Sequence, residues 1–556
     1  MNEVVGINVL VISAVGSAGL VLALRKVKAR VELSLAKHRS LGGHPRMARR
    51  LAALLPAYRY DEDQAFSIDG APPAIAIRRK AAFAALVAAS QSRSPKTLQA
   101  SAEAAQSLSD LQFISAYRVP FQFRTIAAQG LKIGSFVQRT EGVTVTDLDG
   151  NSFYDLTGSY GVNLFGHDFY KECIDQGAAM VRDLGPVLGA YHPVMLDNIR
   201  RIKAISGMDQ MSFHMSGTEA VMQAVRLARY HTGRKKIVRF CGSYHGWWGD
   251  VQPGIGNPMP ARDTLNLTEM GARTLHVLRT RNDIACVLVN PLQALHPNVA
   301  APSDGTLLDS GRRAHYDREA YTLWLQELRS ICDARGIALI LDEVFMGFRL
   351  AKGGAQAYFG VRADMVTYGK TLGGGLPIGV VCGKERWMRR FRDDAPADIC
   401  FARGTFNSHP YVMGAMNAFL RRIEDADIDA LYAAADTTWS RRAEQFNARL
   451  AAEGIPVQVA AMSSVWTVLY TQPARFNWLF QHYLRHQGIA LSWVGTGRII
   501  WSLNFTEVEF AAVVERWVLA GHAMKEAGWW WSDGKTTNQS IKRGLLKESL
   551  GRLLKR

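Results

Sequence analysis

Cysteine is sparse in this chain. Its six residues (Cys173, Cys241, Cys286, Cys332, Cys382, Cys400) are scattered through 556 positions, with no CxxC and no histidine cluster at metal-ligand spacing. This argues against a disulfide framework or a zinc module and for reduced, buried thiols. Charge is also modest, 21% of residues against 48% apolar, the balance of a globular chain rather than a disordered one. No internal repeat is present, and the length exceeds one ordinary core, so two or more folded units are expected.

Acidic residues are scarcest at the two ends. Between Arg25 and Arg50, nine Lys or Arg face the single acid Glu32, and from Lys542 to Arg556 six face Glu548. Most of the formal net charge of +17 therefore lies near the termini and the body is close to neutral. That disfavours a nucleic-acid groove across the core and favours an anionic partner near both ends, such as membrane lipid.

Val4 to Leu24 contains no charge and is long enough to cross a bilayer as a helix. It lacks the basic leader of a cleaved signal peptide, and the basic residues follow it. The positive-inside rule then predicts a single-pass anchor with a cytoplasmic body; a buried soluble helix is the alternative. Near the other end, Trp529 to Trp531 precede leucines at helical spacing (Leu545, Leu546, Leu550, Leu553, Leu554) among basic residues. That pattern suits a helix lying in a membrane interface, a solvated tail, or one packed on a partner.

From Gly142 to about Leu519, apolar strands alternate with helical stretches, the pattern of an α/β fold with a largely parallel sheet. Ile337 to Leu341 reads as a buried strand and places Asp342 at its carboxyl end, where open α/β sheets build sites. An aspartate there can hold a protonated heterocyclic nitrogen, or simply cap a loop. A second strand, Asp364 to Gly369, leads into Lys370 and the run Gly373-Gly374-Gly375. A lone lysine is usually a surface charge; one buried after a core strand can form a Schiff base with a carbonyl. Ser216-Gly217-Thr218 opens a helix, where hydroxyls and free amides cap it or bind phosphate. Tyr244 follows a short strand and can stack on a flat ring, or pack.

In combination, SGTEA, YHG, DEVFMGFR, the strand ending in Lys370 with GGGLP, and GTFNSHP resemble the class III aminotransferases over about residues 118 to 520. The glutamate-1-semialdehyde aminomutase branch is the nearest likeness. YGVNLFGH, NPLQALHPN and GTFNSHP are similar to aminotransferase domains of polyketide–peptide assembly lines. The resemblance implies a pyridoxal 5'-phosphate (PLP) enzyme of fold type I, aspartate aminotransferase-like, with a large domain and a smaller α+β domain. Lys370 would carry the cofactor and move the substrate proton, and Asp342 would hold the pyridine nitrogen. Val344 and Tyr244 would cover the two ring faces, and Gln293 would contact the phenolic oxygen. Ser216, Gly217 and Thr218 would hold the phosphate, with Thr405 reaching the phosphate of a neighbouring subunit in a homodimer. Tyr160, Asn163 and Trp493 are substrate-pocket candidates by position. One departure is Val289-Asn290-Pro291, where the family often has Val-Glu-Pro.

The chain divides on this reading into a transmembrane helix (4–24), a basic helical connector (25–110), the first part of the small domain (111–190), the PLP-binding large domain (191–410), the rest of the small domain (411–530) and a basic tail (531–556). The expected activity is transfer of an amino group from an amino acid donor to a carbonyl acceptor, which the anchor suggests is lipid-like or carrier-bound. Carried beside it are a semialdehyde-type aminomutase, an inactive membrane-tethered scaffold, and an α-oxoamine synthase-like carbon–carbon bond former. No metal is expected.

Overall fold

The structure, a computed structural model, describes residues 20–112, 119–252, 255–257, 262–299, 310–491 and 497–554. Three short strands, β1 (Arg139–Glu141), β2 (Thr144–Thr146) and β3 (Ser152–Asp155), open the ordered β-structure. The large sheet follows: β4 (Gln210–His214), β5 (Lys236–Phe240), β6 (Thr264–Leu267), β7 (Ile284–Val289), β8 (Ala338–Asp342), β9 (Met365–Gly369) and β10 (Gly379–Gly383). Its spatial order is β4-β10-β9-β8-β7-β5-β6. All neighbours are parallel except β10, which runs antiparallel to both β9 and β4.

The continuous apolar run of β8 is explained by burial on both faces. Ala338 and Ile340 join the apolar cluster under the helix Gly217–Thr232, whereas Leu339 and Leu341 join the cluster holding Tyr321, Trp324 and Leu328 of the helix Arg318–Arg335. Every residue of β7, β8, β9 and β10 is buried. The parallel strands therefore discharge their carboxyl ends along one edge, and that edge positions the site.

Beyond the large sheet, β11 (Val457–Met462), β12 (Val465–Tyr470) and β14 (Arg498–Ile500) form an antiparallel sheet against the helices Ala426–Ala452 and Glu507–Glu526. The two-residue strand β13 (Ile489–Ala490), between β12 and β14 in the chain, belongs instead to the sheet of β1, β2 and β3, pairing in parallel with β3. Segments far apart in sequence thus share one small unit.

The connector is not a loose spacer. A helix over 20–36 ends beside the large sheet, where Thr268 N donates to the Ala36 carbonyl at 2.9 Å and Lys37 bridges antiparallel to Leu267 on the outer strand β6. Farther along, the buried Arg79 makes a bidentate pair with Asp69 (2.7 and 2.8 Å), donates to the carbonyls of Phe66 and Gly528, and lies 4.5 Å from the Phe476 ring. Such pairing meets the cost of burying the guanidinium.

One expectation for the termini lies mostly outside the described residues, and another needs correction. The apolar run Val4–Leu24 falls mostly on residues outside the described set; only Leu20–Leu24 are seen, at the start of the 20–36 helix, and no helix among the described residues is long and apolar enough to cross a membrane. Trp529 and Trp530 do not flank an interfacial helix but are core: their indole N–H groups donate to Tyr483 Oη (2.8 Å) and Asn477 Oδ1 (2.9 Å). The tail beyond them is a helix, Asn538–Leu553, pinned by Glu548 to Arg475 (2.8 Å) and to the hydroxyls of Tyr60 (2.6 Å) and Tyr58 (3.0 Å). Leu546, Leu550, Leu553 and Leu554 remain exposed.

Candidate active site

Asp342 ends β8 and is buried. Its Oδ1 accepts from Thr367 Oγ1 (3.1 Å) and the Val344 amide (3.2 Å), and its Oδ2 accepts from His245 Nδ1 (2.8 Å). His245 is fully desolvated, which lowers its pKa against the opposing pull of Asp342. The neutral ring therefore donates from Nδ1 and leaves Nε2 without a partner among the described residues. Among the described residues no Lys or Arg forms an ion pair with Asp342, so the carboxylate keeps capacity for a cationic ligand.

Lys370 follows β9 directly with φ 48°, a left-handed conformation that costs energy for a side-chain-bearing residue. Burial lowers its pKa; Asp342 opposes this, and the Arg349 guanidinium adds to it. The result is an amine biased toward its neutral, nucleophilic form and within electrostatic reach of Asp342. Gly161, with φ 99°, backs the lysine: a Cβ there would stand 2.6 Å from the Phe345 ring and 3.3 Å from Lys370 Cδ.

The helix Gly217–Thr232 starts at the same edge. The Ser216 hydroxyl caps it by accepting from the Glu219 amide (3.3 Å), while the amides of Gly217 and Thr218 have no intrahelical acceptor. The helix start is pressed against the strand ends. A Cβ on Gly217 would lie 2.4 Å from Val344 Cγ1, and one on Gly246 would lie 2.6 Å from Thr218 Oγ1. Asp342, Val344, Lys370, Gly217 and Thr218 are thereby brought together.

Tyr244 joins them from the loop after β5, with burial and the nearby Asp342 raising its phenol pKa, yet it stays 56% exposed, so its ring is open to a ligand. Gln293 is buried beside it and donates from Nε2 to the Cys241 carbonyl (2.8 Å). Asn290, the departure from the family pattern, donates from Nδ2 to the Tyr244 carbonyl (2.8 Å) and accepts from the Leu292 amide (3.1 Å). An ionised glutamate has no proton for the first of these bonds.

The model matching this chain is that of class-III aminotransferases, over residues 125–250 and 317–520. The chain belongs to the class-III aminotransferases. The glutamate-1-semialdehyde 2,1-aminomutase of Nitratidesulfovibrio vulgaris (strain Miyazaki F) is 35% identical over 359 residues, covering 60% of this chain and 76% of the relative. That of Alkaliphilus oremlandii is 34% identical over 307 residues, covering 52% and 67%. Among solved structures, a transaminase with PLP bound superposes with a TM-score of 0.59 at 26% identity, over 71% of this chain and 92% of its own. A glutamate-1-semialdehyde aminomutase from Pseudomonas aeruginosa PAO1 shares the fold, with a TM-score of 0.62 at 18% identity over 81% and 99%.

This class-III aminotransferase is a PLP enzyme, and the residues present fit that cofactor. Two glycines, Gly217 and Gly246, let the helix start approach the strand ends more closely than any Cβ would allow. That approach gathers a desolvated amine, a carboxylate with no Lys or Arg partner among the described residues and two helix-start amides without an intrahelical acceptor, matching an aldehyde, a pyridinium and a phosphate in turn.

Thr405 lies on an exposed turn. Tyr160 is half exposed at φ 58°, Asn163 is buried and gives its carbonyl to Arg349 (3.2 Å), and Trp493 lies outside the described residues. A groove of about 720 Å³ opens not over Lys370 but on the outer side of β4, between Tyr191, Phe213, Arg390, Phe391 and Asn407. Sequence reasoning assigned no role to His245 or Arg349, although both sit inside quoted motifs. Arg349 is buried with no acid paired to it among the described residues, donating to Ser464 Oγ (3.0 Å) and the Trp501 carbonyl (2.7 Å) as well as the Asn163 carbonyl. It thus joins the small unit to the loop after β8.

Proposed function

We propose that this enzyme moves an amino group from an amino acid donor to a carbonyl acceptor, with Lys370 as carrier of the cofactor and mover of the substrate proton. The observation that carries the reading is the desolvated Lys370 amine within electrostatic reach of a carboxylate that has no Lys or Arg partner among the described residues. PLP, when bound, supplies an electron sink for the bonds at the substrate's amino-bearing carbon. The chain supplies the rest. Asp342, aimed by His245 and Thr367, would keep the pyridine nitrogen protonated. The start of the helix Gly217–Thr232 with Ser216 would bind the phosphate. Val344 and Tyr244 would confine the ring, and Gln293 would contact its phenolic oxygen. The Lys370 side chain, backed by Gly161, would deliver and remove the proton.

The acceptor we favour is a lipid-like or carrier-bound oxoacyl compound or aldehyde. This rests on the apolar run Val4–Leu24, the exposure of its last residues Leu20, Leu22 and Leu24 and of Val27 and Val31 beyond it, and the basic residues that follow. The same features support a single-pass anchor and a cytoplasmic body. A homodimer, typical of the family, would bring the exposed Thr405 to the phosphate of a second copy. The names of the two relatives favour a second reading, an aminomutase of the semialdehyde type. Mass spectrometry of products from PLP-loaded protein, offered a panel of amino donors with acyl carbonyls and with glutamate-1-semialdehyde, separates the two. Net amino transfer between molecules supports the first reading, and isomerisation without a donor overturns it. Loss of the cofactor absorbance in Lys370→Ala tests the lysine itself.

A further inference from the structure

Two helices from opposite ends of the chain, both outside the catalytic cluster, turn apolar stripes outward. The helix Pro45–Leu54 packs inward through the buried Ala48, and Arg49 donates from Nη1 to the Asn257 carbonyl (2.8 Å). Met47, Leu51 and Leu54 stand at helical spacing and so share one face. All three are exposed, and Leu55 continues the row. Arg46 and Arg50, one turn apart, lie beside it, and the helix contains no acid. An amphipathic helix ordinarily buries its apolar stripe against the core; this one shows it to solvent.

The tail helix Asn538–Leu553 repeats the arrangement. Ile541 is buried, and Glu548, the helix's single acid, faces inward to Arg475, Tyr58 and Tyr60. On the outer side Leu546, Leu550 and Leu553 recur at the same spacing, all exposed, and Leu554 follows at 88%. Arg543 and Lys547 flank them. Trp529 and Trp530 belong to the core, so leucines and cations are what this helix offers.

Glu548 also draws the two helices together, because Tyr58 and Tyr60 follow Leu55 in the chain. The first helix in turn meets the foot of the 20–36 helix: burial, then Arg46 and Arg30, lower the pKa of Lys37. From Leu20 to Val31 that helix is exposed on every side, so it stands clear of the body.

We propose that the helices Pro45–Leu54 and Asn538–Leu553 form one platform that beds on an anionic bilayer surface, leucines at the acyl boundary and cations at the lipid phosphates. A second copy offering the same stripes would set arginine against arginine. An anionic bilayer supplies both the apolar layer and the counter-charge. The platform is a separate contact from any span made by Val4–Leu24, and it does not depend on the aminotransferase reading. It would hold the catalytic body against the lipid in a fixed orientation.

The test uses full-length protein carrying Leu51→Cys or Leu550→Cys, each labelled with a fluorophore; all six native cysteines are buried. Val508→Cys is the reference, exposed at the end of the helix Glu507–Glu526 remote from the tail. Each is reconstituted with vesicles of phosphatidylcholine and phosphatidylglycerol in equal parts that contain nitroxide-labelled lipid. Quenching is expected at Leu51→Cys and Leu550→Cys and not at Val508→Cys, and it should fall in pure phosphatidylcholine and at high salt. Adding Arg543→Gln and Lys547→Gln should reduce quenching at Leu550→Cys, each charge contributing about fivefold to the bound-to-free ratio. Quenching at fewer than both stripes, or equal quenching at Val508→Cys, overturns the platform. Shielding of the labels that grows with protein concentration and needs no lipid assigns the stripes to a second copy and overturns it too. Vesicle attachment without quenching at the stripes refutes the platform and leaves the anchor standing.

Discussion

Gly217→Ala tests whether the contact between helix start and strand end governs cofactor binding. The added methyl would lie 2.4 Å from Val344 Cγ1 and 2.9 Å from Cγ2, where ordinary contact begins at 3.4 Å. About an ångström of overlap must therefore be relieved. Val344 has little freedom to give way, because a β-branched side chain is stiff about χ1 and Gly369 crowds the same methyl, a Cβ there falling 3.2 Å from Cγ1. Overpacking of this kind costs about 1–3 kcal/mol. If the strain falls on the bound state, that is a loss of roughly 5- to 150-fold in PLP affinity. Val344→Ala removes the two methyls in the way, so the double variant should bind PLP better than Gly217→Ala alone, with a coupling of about 1–2 kcal/mol. Equilibrium titration followed by cofactor absorbance, with a thermal melt of each apoprotein, measures both quantities. Affinity within twofold of wild type for Gly217→Ala, or strict additivity in the double variant, would refute the reasoning.

His245→Phe should leave Asp342 Oδ2 without its 2.8 Å donor and lower kcat about tenfold or more with a displaced pH profile; His245→Gln, which retains a donor, should recover part of both. Glu269 is buried, holds the Tyr321 hydroxyl at 2.8 Å and has a pKa pushed up by burial to about 8. Between its ordinary 4.5 and about 8 the folded chain keeps a proton that the unfolded chain has released, so stability falls as pH rises, by up to about 1.4 kcal/mol per unit. Denaturant titrations of Glu269→Gln from pH 5 to 8 should show a flatter profile and a gain over wild type at the alkaline end; parallel profiles would count against it. Trp529→Ala should cost about 3–5 kcal/mol in unfolding free energy without changing sedimentation with anionic vesicles. Reduced vesicle binding at unchanged stability would return that residue to a lipid interface.

What the sequence made legible was local. The strand ending at Asp342, the strand before Lys370 and the helix start at Ser216 each announce themselves within about ten residues, by an apolar run or a capping residue. The antiparallel insertion of β10 between β9 and β4 was hidden, because an apolar run carries no sign of its direction. Also hidden were contacts joining distant segments. His245 reaches Asp342 across 97 positions and Arg349 reaches Trp501 across 152, and nothing in either neighbourhood encodes the partner. The Trp529 pair misled for a related reason. Aromatics beside a basic stretch resemble an interfacial flank until the cage formed by Phe66, Phe476 and Tyr483 is seen. Asn290 is a case where a departure from the family pattern became intelligible only through its bond to the Tyr244 carbonyl.

The stitch between Lys37 and Leu267 has a mechanical meaning. Because the residue that follows the 20–36 helix is bridged to the outermost strand of the large sheet, that helix is a handle rather than a leash. A pull on it would act on the edge of the slab that carries Lys370, with no slack chain between them to absorb it.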